Sequence, residues 1–173
     1  MRKLIICIPC ILSALMLPVV SSAAENCTFE QTHSYESLEF VIQGTGCDVH
    51  QWEIQVTNEG KPFTQLKGEG NRLNNAWVTD MDGDGNPEII LQTITVSKTA
   101  EENISLTELS GTTFSPSQTV PILTEEEKAH YQGHDNFTVE DGQIVRTFPI
   151  EPVGVTKQIF YQFLDKKLVV KMP

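Results

Sequence analysis

Between Asp80 and Glu88 the chain reads Asp-Met-Asp-Gly-Asp-Gly-Asn-Pro-Glu, four carboxylates and two glycines in nine residues. Oxygen donors at that density suit a hard divalent cation, and calcium takes about six to eight of them. Asp80, Asp82 and Asp84 stand at the first, third and fifth positions, and Gly85 follows. That start matches an EF-hand loop. The twelfth position, where a bidentate Glu belongs, is Leu91, and no helical pattern flanks the loop, so an EF-hand is excluded. A shorter calcium loop remains, with Asp80, Asp82, Asp84, Asn86 and Glu88 as its candidate ligands. The same residues also suit a plain connection between strands. Aspartates form Asx-turns, glycines supply positive φ, and Pro87 sets up the next strand. Solvent screens exposed acids, so such a turn needs no ion. Both readings stand at this point.

A second group of chemically capable residues lies further on. His130 and His134 are four apart, with Asp135 next. Zinc ligation by that pair needs a continuous helix, and Gly133 argues against one. The plainer reading is a polar cluster that fixes a turn. Arg146 shares a strand face with Ile144, Phe148 and Ile150, and a buried Arg needs a partner. Asp135 is the candidate, so Gly133, His134, Asp135 and Arg146 are read together as a structural unit. No nucleophile elbow, phosphate loop or His-Glu-x-x-His zinc motif occurs. No acid pair stands out for glycoside cleavage among so many acids. An enzyme is therefore not expected.

Strands must position these groups. Leu38, Phe40 and Ile42 alternate with polar residues, as do Trp52, Ile54 and Val56. In the segment after Pro87, Ile90, Ile94 and Val96 alternate with Ile89, Leu91 and Thr93. This period of two predicts strands. Further strands are expected near Leu66, Trp77, Leu106 and Phe114. Asp141-Gly142 marks a hairpin, and a final hairpin turns near Asp165 to Lys167. Thr124 with Glu127 three residues on forms a capping box, which predicts one short helix with Gly133 as its stop. About ten short strands with turns between them predict an all-β fold. The expected form is a double-sheet sandwich of short antiparallel strands with one short helix.

The chain opens with Arg2 and Lys3, an apolar run from Leu4 to Val20, and small residues at Ser22 and Ala24. That is the pattern of a cleaved signal peptide over 1–24, leaving 25–173 as one domain of ample size for a core. The proline interruptions at Pro9 and Pro18 argue against an uncleaved span. The expected address is periplasmic or secreted, with no membrane attachment after cleavage. Two of the 12 basic residues leave with the leader and none of the 23 acids does, so the net charge moves from −11 to −13. Such a charge excludes nucleic acid and anionic lipid as partners and suits a cationic one. Cys27 and Cys47 are the two cysteines that remain, and in an oxidising compartment they have one pairing. A loop of that length closed by a disulfide stabilises by roughly 3 kcal/mol.

Four sequence stretches, some overlapping, carry family resemblances. The Asp-x-Asp-x-Asp-Gly-x-x-acid spacing ending at Glu88 resembles the calcium loops of FG-GAP propeller repeats, but one copy makes no propeller. The stretch Tyr131 to Ile150, with Gly133-His134-Asp135, Phe137, a hairpin, then Val145, Arg146, Phe148 and Pro149, resembles the periplasmic inhibitors of invertebrate-type lysozyme. The segment from Val78 to Ile89 and that from Val120 to Asp135 are similar to the same family. The resemblance covers Trp77 to the C-terminus. It implies a periplasmic, double-sheet, non-enzymatic protein that blocks a lysozyme's active cleft. The family's inhibitory loop carries Ser-Gly-x-x-Tyr. Here that place holds Ser97 without the Gly and Tyr, so Ser97, Lys98, Thr99 and Glu101 are the candidate partner-binding residues and the family's particular contacts are missing. Two functions are thus in play. One is an inhibitor of a cationic wall hydrolase such as a lysozyme. The alternative is a calcium-binding structural or adhesion module.

Overall fold

The computed structural model describes residues 27–47, 49–95, 102–152 and 154–171; residues 1–24, expected to be a leader, lie outside them. The chain forms the all-β sandwich that its alternating pattern predicts, with antiparallel strands and one very short helix. The described residues form three sheets, and each is built from one stretch of chain without strands from another. Strands β1 (Thr28–Tyr35), β2 (Leu38–Thr45), β3 (His50–Asn58) and β4 (Lys61–Gly70) make the first, in sequence order. The second contains β5 (Arg72–Thr79), β6 (Glu88–Ile94), β7 (Glu102–Ser110) and β8 (Thr113–Phe114), with β9 (Gln118–Thr119) pairing β7. After helix α1 (Glu125–Lys128), the third contains β10 (Asn136–Glu140), β11 (Gln143–Ile150), β12 (Val155–Leu164) and β13 (Lys167–Val170).

The second sheet lies between the other two, and a core fills each side of it. Ile89 and Leu91 join Phe40, Ile42, Ile54 and Val56 of the first sheet. Ile90, Ile104 and Leu106 join Phe148, Tyr161 and Phe163 of the third. Strand β6 is therefore buried on both faces, from Glu88 through Gln92 without a break. In β5 a bulge between Leu73 and Asn75 lets Leu73 and Ala76 reach the same core despite their odd spacing.

Turn chemistry explains the hairpins. Asp141 and Gly142 have φ of 50° and 70°, as a tight type I′ turn requires. Asp165 and Lys166, at 48° and 61°, close the last hairpin in the same way without a glycine. The capping box at Thr124 and Glu127 forms as expected, and Lys157 of β12 binds Glu127 at 3.0 Å. The helix ends at Lys128, before Gly133, because its four residues have no buried face to extend it.

Two strand glycines mark close approaches in the first sheet, Gly44 against His50 and Gly68 against Trp52. Gly68 lies under the indole of Trp52, and a Cβ added there would stand 2.1 Å from the ring. Replacing Gly68 with Ala is expected to lower stability by about 1–3 kcal/mol, as overpacking does. A chemical-denaturation midpoint equal to wild type would show that Trp52 has room to move. The disulfide Cys27–Cys47 closes this sheet's start, with a Cα–Cα distance of 5.1 Å. Among the described residues no helix is long and apolar enough to cross a membrane.

Candidate metal centre

The acidic loop connects β5 to β6 at one end of the sandwich. Asp80 organises it. Its carboxylate accepts the Gly83 and Gly85 N–H groups at 2.8 and 2.9 Å, and that of Asp84 at 3.2 Å. The Tyr35 hydroxyl, at the end of β1, donates to it at 3.2 Å. Asp82 accepts from Asp84 N–H, and Asp84 from the backbone and side chain of Asn86. Asn86 thus braces Asp84 through its amide. Gly83 and Gly85 take φ of 76° and 87°, which keeps the loop tight enough to bring its acids together.

These contacts would suffice for an Asx-turn. What lies beneath them goes further. Glu88 opens β6 and its side chain is buried. One oxygen accepts the Met81 N–H at 2.5 Å, while the other, Oε1, is buried with no hydrogen-bond partner. Directly across the strand pair stands Glu108 of β7, also buried. Its Oε1 binds Lys166 at 3.0 Å, and its Oε2 is buried without a partner. Two carboxylates facing each other in a ladder repel, and an unpaired buried polar group costs about 1–3 kcal/mol, more when charged.

Carboxylate oxygens of Asp80, Asp82 and Glu88 come within 4.8 Å of one another, and so do those of Asp82, Asp84 and Glu108. The two triads share Asp82. Burial, then the charges of Asp82, Asp80 and Glu108, push Glu88 up to about 7, against the Met81 hydrogen bond. Asp82 is also raised, first by lost hydration and then by its acidic neighbours. Asp84 is lowered, chiefly by its hydrogen bonds from Asn86. A divalent cation is the group that would relieve these strains together. The donor set is all oxygen, which fits calcium and not zinc.

No family model, curated protein or solved structure matches the chain. The site is read from its own geometry. Of the five loop residues proposed from sequence, the structure brings Asp80, Asp82, Asp84 and Glu88 together and gives Asn86 a bracing place. Glu108 was missed. Its signal was a carboxylate on the apolar face that carries Ile104 and Leu106; its position opposite Glu88 depends on a strand pairing that spacing does not reveal.

The second group forms at the other end of β6. Arg146 is buried, and its Nε donates to Asp135 at 2.7 Å. The Tyr131 hydroxyl donates to the other Asp135 oxygen. The guanidinium carbon sits 5.4–5.6 Å from the ring centres of Tyr131, Phe137 and Phe148. Tyr131 is pushed up to about 12 by burial and then by Asp135. Gly133 and His134, with φ of 75° and 58°, make the sharp turn that swings Asp135 inward. His130 and His134 are exposed on that turn and do not share a helix. An open groove of about 550 Å³ adjoins Arg146, Thr95 and Glu102, with Ile122 standing 84% exposed beside it. Ser97, Lys98, Thr99 and Glu101 lie outside the described residues.

Proposed function

We propose that this chain is an extracytoplasmic calcium-binding β-sandwich that acts by binding a partner and not by catalysis. One observation carries the calcium reading: Glu88 and Glu108 are buried face to face beneath three aspartates, each with a carboxylate oxygen that has no partner. A turn stabilised by its own hydrogen bonds has no use for such a pair. A calcium ion would take the free Glu88 oxygen with those of Asp80 and Asp82, and water or loop carbonyls would complete its shell. Extracellular modules of this kind bind calcium at about 0.1–1 mM. The test is calorimetric titration of residues 25–173 with calcium chloride after EDTA treatment, with magnesium chloride in parallel. Saturable heat with calcium is expected. No heat and no thermal shift at millimolar calcium would overturn the reading.

The partner is proposed to be a cationic wall hydrolase of the lysozyme type, met in the periplasm or outside the cell. The mature charge of −13, from 23 acids against the ten basic residues left after cleavage, would steer a basic enzyme and raise its association rate at low salt. The groove with exposed Ile122, beside Arg146 and Glu102, supports contact at that end of the sandwich. Inhibition of invertebrate-, chicken- and goose-type lysozymes, read as cell-wall turbidity at low and physiological salt, tests this. Inhibition of one class that survives salt is expected. Equal weak effects that vanish with salt would reduce the partner to charge attraction, and lysis by the protein alone would make it an enzyme.

A further inference from the structure

We propose that Lys166 is a tethered cation that competes with a divalent ion for half of the acidic cluster, the half made by Asp82, Asp84 and Glu108. This rests on the calcium reading above and concerns how that site is regulated. The two carboxylate triads differ in one respect. The triad with Glu108 already has a positive group, the Lys166 ammonium at 3.0 Å. For the triad with Glu88 no positive group lies within ion-pair distance among the described residues, and Glu88 Oε1 is buried without a partner.

The lysine is held in place by more than its ion pair. It occupies the tip of the β12–β13 hairpin at a φ of 61°, a conformation that side-chain-bearing residues seldom adopt. Gln118 of β9 grips that tip from both sides. Its Nε2 donates to the Lys166 carbonyl at 2.6 Å, and its Oε1 accepts the Leu168 N–H at 2.9 Å. The third sheet therefore lends a charge to the second sheet's site. An ammonium and a calcium ion on the same few oxygens would repel each other strongly. The tethered group has no translational freedom to lose, so it holds its half against a free ion of modest affinity.

The experiment is calcium titration, by calorimetry and equilibrium dialysis, of wild type, Lys166→Gln and Lys166→Arg, all as residues 25–173 and all checked for folding by thermal melts. Wild type and Lys166→Arg are expected to bind one calcium per chain with similar affinity. Lys166→Gln is expected to bind a second ion, or the single ion at least threefold more tightly. One ion in Lys166→Gln, with affinity changed less than threefold, would overturn the proposal. So would two ions in wild type, or the same change in the Arg variant as in the Gln variant, since that would trace the effect to the turn and not the charge. Binding by Lys166→Gln alone would keep the lysine's role and refute calcium loading of the native chain. Binding by none of the three would refute both.

Discussion

Calcium at a hundredfold excess over its dissociation constant is expected to raise the melting temperature of the metal-free protein by roughly 5–10 °C, from about 2.7 kcal/mol of linkage in a domain of this size. The same site predicts a reversal of sign. Without calcium, Glu88 is a burden, because burial and neighbouring acids raise it from 4.5 to about 7. The folded state then holds its proton more tightly than the unfolded state does. Stability therefore falls as pH rises from about 4.5 to about 7, and the full loss is at most ~3 kcal/mol. Glu88→Gln keeps an acceptor for the Met81 N–H and carries no charge. In EDTA at pH 8 it is expected to stabilise by about 1–2 kcal/mol and to flatten the pH slope. In calcium it is expected to lose most of the gain that wild type makes. Melts of both proteins at pH 5 and pH 8, with EDTA and with calcium, read all four corners. A variant less stable than wild type in EDTA at pH 8 would contradict a buried, unpaired carboxylate at this position.

Asp135→Asn is expected to cost about 3–5 kcal/mol, the usual penalty for leaving one member of a buried ion pair alone. Arg146 is largely shielded from water, since three aromatic rings stand around its guanidinium. Burial opposes its charge while Asp135 and then Tyr161 favour it, and the net effect is to hold it ionised. The double variant Asp135→Asn, Arg146→Met is expected to recover a large part of the loss, because it removes the stranded charge. Urea midpoints of the double variant and of both single variants decide the matter. A double variant as unstable as the sum of its parts would place the importance of Arg146 in its packing instead.

Much of this architecture was legible in the sequence, and the limits are instructive. The hairpin at Asp141-Gly142 and the capping box at Thr124 and Glu127 are local devices, and local devices can be read from adjacent residues. The strand after Pro87 was legible as a strand from its β-branched run. Its place in the middle of the sandwich was not, because burial on both faces depends on which sheets cover it. For the same reason four loop acids could be named while the fifth, Glu108, could not. The grip of Gln118 on the final hairpin is also invisible in sequence, joining residues separated by 48 and 50 positions. Asp135 and Arg146, by contrast, follow from a simple argument: a cation on an apolar strand face needs an anion close by.

The contiguity of the three sheets also sets an order of assembly. A chain that emerges from its N-terminal end can zip the first sheet as soon as Gly70 is free, since every pairing in it is between neighbouring strands. The second sheet can then settle on it through Ile89 and Leu91. Its reverse face, with Ile90, Ile104 and Leu106, stays wet until the segment from Asn136 onward arrives to cover it. That interval is the dangerous one for this molecule, when a half-finished sandwich offers an apolar sheet to any other strand nearby. Aggregation during synthesis should thus depend less on the first sheet's own stability than on how promptly the last third of the chain follows.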